Sequence, residues 1–191
     1  MADTWTCNAT NVAWASAKNM LSFYNDASTT AICRIYKIWM VNTQTAAVTG
    51  TNIVDCFIYR FSAGPHSGGT ALGTANTPVP TAGQIVAHRS SNAAIPAQFT
   101  IRTGATGGIS LGALVRGFLR CSDEAASQAA ITLDEVQAIY PLNLVWDAGY
   151  GESDIQPLTL RATEGMVIRA GTNGSFVGQC DINVLFTLNP T

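Results

Sequence analysis

The clearest pattern in the chain is an alternation of apolar and polar side chains near its C-terminal end. Apolar residues and one glycine occupy every second position from Phe176 to Leu188, and Asp181 and Asn183 are among the residues between them. Successive side chains of a β-strand point to opposite faces. This alternation therefore predicts a strand with one face in a core and the other face exposed or at an interface.

Further short apolar runs are separated by Gly, Thr, Pro, Ala and Asn, which punctuate strands. The segment Thr159–Ala170 contains two such runs around a turn at Thr163–Gly165. The other predicted strands are Met20–Tyr24, Ile32–Val41, Ile53–Ser62 and Leu114–Cys121.

Helical patterns are scarce. Thr132 is a plausible N-cap with Glu135 three residues later, and it precedes a helical spacing over Leu133–Tyr140 that stops at Pro141. Asp123–Ala130 predicts a second short helix. One or two short helices among seven or eight strands predict an all-β fold, and specifically a jelly-roll-like β-sandwich.

The predicted domain organisation is an N-terminal arm, residues 1–19, followed by a single β-sandwich domain, residues 20–191. The arm is of mixed polarity with Trp5 and Trp14 isolated in it, which suits a segment that orders only on docking. Gly64–Gly83 is the longest predicted loop, and a long loop in a compact domain is usually functional or packed on a neighbour.

The low content of charged residues favours a subunit of an assembly over a monomeric domain. Charged residues make up 12% of the chain, against roughly 25% in typical soluble domains. A monomer needs surface charge to stay dispersed, whereas a subunit that buries its surface against neighbours needs less. The composition therefore favours assembly.

Nucleic acid and membrane are not expected as partners. The net charge is −2 and no basic run is present, so the patch that displaces counterions from phosphates is missing. A phosphate-contacting surface would have to be gathered from Arg34, Lys37 and other basic residues far apart in sequence. The longest apolar run, Ile35–Val41, is interrupted by Lys37 and is too short to span a bilayer.

The N-terminal residues and the cysteines predict synthesis in a reducing cytoplasm. Met1–Thr10 lacks the basic start and apolar stretch of a signal peptide. The five cysteines form no paired metal or redox spacing, and their odd number argues against a full disulfide framework.

Candidate chemistry is sparse, and no enzyme is predicted. Only two histidines are present, His66 and His88, and neither lies in a metal-binding or nucleophile motif. We therefore predict no catalytic site, no cofactor-binding site and no metal site. The loop Trp146–Asp154 carries Asp147, Glu152 and Asp154, whose oxygens suit calcium. Surface loops commonly carry acids for solubility, and the sequence leaves open whether this one binds calcium.

Several blocks of the chain, from about Ile32 onwards, resemble one class of known proteins. They are Ile35–Trp39, the turn Gln44–Gly50, Pro141–Gly151, Gln156–Arg161 and Glu164–Arg169. In these blocks the chain resembles small structural proteins of tailed bacteriophages. The resemblance implies β-sandwich subunits, often trimeric, that decorate or cement a capsid; others of this kind are head-fibre bases or tail components. It carries over no functional residues.

The function predicted from sequence is a non-enzymatic virion structural protein, a capsid decoration or cement subunit. It is expected to be a homo-oligomer, in the form of a trimer, that contacts the major capsid protein or other virion proteins. The predicted contact elements are Ala2–Asn19, Gly64–Gly83 and the outer face of the last strand.

Two alternatives remain. The first is a carbohydrate- or receptor-binding β-sandwich of a tail or head fibre, which would use the loop Trp146–Asp154. The second is a cupin-type metalloenzyme, against which the scarcity of histidine argues.

Overall fold

A computed structural model describes residues 3–26, 31–43, 52–62, 66–73, 83–107, 109–121, 143–148, 156–172 and 179–189. These residues form two antiparallel sheets and contain no helix. The strands, in chain order, are β1 Asp3–Ala13, β2 Asn19–Asn25, β3 Ile32–Asn42, β4 Asn52–Ser62, β5 Thr70–Ala71, β6 Gln84–Ala87, β7 Phe99–Thr103, β8 Ile109–Cys121, β9 Asn143–Asp147, β10 Leu158–Leu160, β11 Glu164–Ala170 and β12 Gln179–Asn189.

The two sheets have the connectivity of a jelly roll. The first has the order β10-β3-β12-β1-β6, with β9 pairing the same strand β3 further along, and the second has the order β5-β7-β2-β11-β4-β8. The small strands β5, β6 and β7 lie between β4 and β8 in the chain. When these three strands are set aside, β1 to β4 alternate between the two sheets. Each sheet then places strands from the first part of the chain next to strands from its last part, as two Greek keys require. The predicted all-β sandwich is confirmed.

Aromatic side chains join the sheets at the centre of the core. Phe186 of β12 lies edge-on to Phe23 of β2, with ring centroids 5.5 Å apart, and its ring centroid is 5.9 Å from that of Phe99 of β7. Phe23 and Phe186 are fully buried. Offset and edge-to-face pairs of this kind stabilise a core beyond the burial of their area.

The predicted final strand is confirmed as β12, which begins at Gln179 in the described residues. Its alternation has the expected result, because the apolar face is buried. The buried residues of this face are Cys180, Ile182, Val184, Phe186 and Leu188. On the opposite face, Asn183 and Thr187 are also buried, and Asn183 accepts a hydrogen bond from Asn8 at 2.6 Å. The chain itself therefore covers part of a predicted contact surface.

The prediction of a separate N-terminal arm is wrong for the residues that the structure describes. Residues 3–13 form β1, which pairs with β12 on one side and β6 on the other. Trp5, Cys7 and Trp14 are buried in the main core. The alternation here was obscured because Cys7 and Ala9 are small and the register shifts between Ala9 and Val12, where Asn11 has a φ of 51°.

Other predicted elements have mixed outcomes. The turn before β11 is confirmed, with Thr163 at a φ of 65°. Within Gly64–Gly83, the described residues 66–73 are not plain loop, because they contain β5 and two isolated bridges. The helices predicted at 123–130 and 133–140 lie outside the described residues. In the described part of the chain, no helix is long and apolar enough to cross a membrane.

Candidate functional site: an arginine-lined cleft at the sandwich edge

A cleft of about 640 Å³ opens at one edge of the sandwich. Its walls come from β3, β9 and β10 of the first sheet, and from β4, β8 and β11 of the second. Pockets of roughly 300–1,000 Å³ are the usual size for small-ligand sites. At this edge β9 and β10 pair with different parts of β3.

Three arginines from three different elements line the cleft. Arg34 lies on β3, Arg60 lies on β4, and Arg161 lies in the turn between β10 and β11. The one carboxylate among the described lining residues is Glu164. The described lining therefore carries an excess of positive charge.

Both oxygens of Glu164 are already engaged. Its Oε1 accepts a hydrogen bond from Nη2 of Arg60 at 2.8 Å, and its Oε2 accepts one from the backbone N–H of Arg161 at 2.8 Å. Within the described residues, neither Arg34 nor Arg161 has an ion-pair partner for its guanidinium. A guanidinium is permanently charged and presents a planar set of donors suited to carboxylate or phosphate.

Two N–H donors of lining residues have no partner among the described groups. They are Nε of Arg60 and Nε1 of Trp146, and because both atoms are buried they have no surface open to the cleft. The described lining still combines three guanidinium groups with one carboxylate, a pattern that favours acceptor-rich groups.

Apolar side chains form the remaining wall. Trp146 packs against the main core, and Pro157, Leu158 and Leu114 complete this part of the lining. An aromatic and aliphatic wall beside convergent donors is the usual composition of a small-molecule site.

The three acids for which calcium binding was left open are only partly described. Asp147 ends β9 and forms a salt bridge with Lys37 at 3.6 Å, while Glu152 and Asp154 lie outside the described residues. Among the described residues, no group of three or more metal-ligating side chains converges. The loop that carries these acids joins Trp146 to Gln156, and both of these residues line the arginine cleft.

His66 is a buried cross-link. Its Nδ1 is 2.7 Å from Oγ of Ser22, and its Nε2 is 2.7 Å from Oγ1 of Thr100. Burial, reinforced by the positive charge of Arg102, lowers the pKa of His66 to about 4. A serine beside a histidine is the arrangement of an activated nucleophile. Ser22, however, is itself buried, and the other imidazole nitrogen contacts a hydroxyl instead of an orienting carboxylate.

The other candidate groups have structural surroundings. His88 Nε2 lies 2.7 Å from Oγ1 of Thr6 at the exposed end of β1. Four cysteines among the described residues are buried: Cys7, Cys33, Cys56 and Cys180. Burial raises the pKa of Cys7, Cys33 and Cys56, which keeps those thiols protonated.

The second surface feature is a pair of exposed leucines on β8. The pairing of β8 with β4 shifts register at two bulges. One bulge lies between the β8 partners of Ile58 and Tyr59, and the other lies between the β8 partners of Arg60 and Phe61. Leu114 and Leu111 are the residues skipped at these two bulges, and they are 46% and 56% exposed. A bulge re-aims the side chain of its extra residue. Among the described strands, β8 pairs with β4 alone, so these leucines project at an edge of the second sheet.

The sequence did not predict either surface. The cleft arginines are separated by 26 and 101 positions, and only the folding of β3, β4 and β11 into one edge brings them together. The leucines lie in a run that reads as a continuous apolar strand, and the bulges that expose them have no periodic pattern. The sequence signal for bulges was the presence of Gly112 and Gly117 within this run, since glycine inside a strand often marks a bulge.

Comparison with known proteins gives no match, because no family model, curated protein or solved structure is significantly similar to the chain.

Proposed function

We propose that the chain is a non-enzymatic structural protein of a virion, a capsid decoration or cement subunit that stabilises the shell through contacts with its neighbours. In this proposal it is a homo-oligomer, in the form of a trimer, and it contacts the major capsid protein or other virion proteins.

Two general properties support the proposal. The jelly roll is a recurrent architecture of viral capsid proteins, although lectins and cupins also use it, and fold alone does not assign function. Charged residues are few, at 12% of the chain, which suits a protein that buries surface in an assembly.

The observation that carries the proposal is the pair of exposed leucines on the β8 edge. Leu111 and Leu114 protrude from adjacent bulges and give the described β8 edge an apolar surface that a neighbouring subunit could cover. The bulges interrupt the regular hydrogen-bonding edge, so the contact would be made by side chains and not by the addition of a strand.

The self-association part is tested by measuring mass in solution. Light scattering of the full chain at several concentrations should give a trimer, and Leu111→Lys should shift the mass towards the monomer. Val86→Lys, at an exposed apolar position on β6 in the other sheet, is the matched control and should leave the mass unchanged. A wild-type monomer at every concentration, or equal effects of the two substitutions, would contradict the proposed contact.

The virion part is tested on particles. The full chain should co-sediment with virus particles and protect them from heat or chelator treatment, because a ligand that binds only the assembled shell stabilises it by mass action. Absence of the protein from particles and from their surface would refute the assignment.

The cleft favours a second candidate function, a carbohydrate- or receptor-binding module of a tail or head fibre. Trp146 and the arginines supply the aromatic surface and the polar groups that such a site needs. The test is titration of the full chain with defined oligosaccharides, developed below.

A further inference from the structure

The edge cleft has a chemistry that selects among possible ligands. Its described ionisable lining is Arg34, Arg60, Arg161 and Glu164, and each oxygen of the carboxylate already accepts one hydrogen bond, from Arg60 or from a backbone N–H. A ligand that supplied donors would find a single, already hydrogen-bonded carboxylate in the described lining. A ligand that supplies acceptors finds two guanidinium groups with no described ion-pair partner.

The apolar part of the wall restricts the ligand further. The indole of Trp146 and the side chains of Pro157 and Leu158 offer a hydrophobic surface next to the cations. An inorganic anion would leave this surface unused. A sugar ring has an apolar face of C–H groups and hydroxyl acceptors, and a volume of about 640 Å³ accommodates a short saccharide.

We propose that the cleft between β10 and β4 binds a carboxylate-bearing saccharide, with the carboxylate paired to Arg34 or Arg161 and a sugar ring against Trp146. Charge-assisted and bidentate guanidinium–carboxylate bonds are about twice as strong as neutral ones. The acid group would therefore dominate the selectivity. This inference rests on the second candidate function and not on the assembly contact on β8, with which the cleft shares Leu114.

The first experiment compares 3′-sialyllactose with lactose by calorimetric titration of the full chain at low salt. The sialylated sugar should bind at least about tenfold more tightly, as expected for one charge-assisted pair, and the advantage should shrink as salt is added. Binding of both sugars with equal affinity would overturn the acidic-ligand inference but keep the saccharide-binding function. Binding of neither would overturn both.

Variants locate the site. Arg161→Met or Arg34→Met, whichever removes the guanidinium that pairs with the carboxylate, should reduce affinity for sialyllactose about tenfold. Arg169→Met is the matched control, because Arg169 is exposed on β11 but does not line the cleft. It removes the same charge and should leave affinity within about twofold. Equal losses in all three variants would show non-specific attraction and overturn the site. Thermal melts identify any variant that loses its fold, and Arg161→Lys then serves as the charge-preserving substitute.

A short acidic peptide is the comparison for ligand class. Tetraglutamate offers carboxylates without a sugar ring, and it should bind more weakly than sialyllactose if Trp146 contributes a stacking surface. Tighter binding of the peptide, reduced by Arg161→Met, would show an acidic-peptide site and would refute the saccharide assignment.

Discussion

Phe186 offers the most direct test of how the two sheets are held together. Its ring is fully buried at the centre of the sandwich and contacts Phe23 and Phe99 of the opposite sheet, at centroid distances of 5.5 and 5.9 Å. Phe186→Ala removes the ring from a site that rigid strands enclose, so collapse around the cavity is limited. Truncations of this kind cost about 3–5 kcal/mol in the free energy of unfolding, transfer and cavity terms together.

The measurement is equilibrium unfolding in urea, followed by tryptophan fluorescence. We expect a lower midpoint with an unchanged m value, because the surface exposed on unfolding stays nearly the same. For a chain of this length, each kcal/mol lowers Tm by about 2–4 °C, so a thermal scan should show a fall of about 6–20 °C. If the wild type has the ordinary stability of about 5–15 kcal/mol, the variant keeps about 0–12 kcal/mol and is marginal only at the lower end of that range.

Two controls decide what the result means. Phe186→Leu keeps most of the volume and should cost less than half as much as the alanine variant. Val86→Ala removes exposed apolar surface and should change stability by less than about 0.5 kcal/mol. A loss below about 1 kcal/mol for Phe186→Ala would refute the conclusion that this ring joins the sheets.

Two further outcomes are expected. Deletion of residues 2–13 removes β1 with Trp5 and Cys7 and should abolish cooperative unfolding, because each large buried apolar side chain contributes about 1.5–3 kcal/mol. Deletion of Met1 and Ala2 alone is the control. If the chain that lacks residues 2–13 still folds, β1 is dispensable. His66 should destabilise the fold in acid. Its pKa is about 4 in the folded state and 6.5 when the side chain is exposed. Because the unfolded state therefore binds more protons between these values, the free energy of unfolding falls as pH falls from about 6.5 to about 4. The expected loss is about 1–2 kcal/mol, allowing for solvent screening, and His66→Gln should remove it; equal pH dependence in both proteins would contradict this origin.

Local pattern was sufficient for most of the larger strands, although β8 begins at Ile109 and not at the predicted Leu114. Six predicted runs are strands with nearly the expected limits, because alternation or apolar content marks a strand wherever its neighbours do not disturb the register. The pattern was insufficient for β1, where small buried residues and a bulge hide the alternation. It was also insufficient for β6, β7 and β9, which are short and owe their pairing to strands far away in sequence.

The sequence by itself determined that the protein is an all-β sandwich with few charges, since both properties follow from composition and period along the chain. Only the tertiary structure decided that Arg34, Arg60 and Arg161 line one cleft, that Leu111 and Leu114 project from bulges, and that His66 is buried between two hydroxyls. The physical reason is the jelly-roll topology. It pairs strands from opposite ends of the chain, so the neighbours of a side chain are set by sheet order and register, which no local pattern encodes.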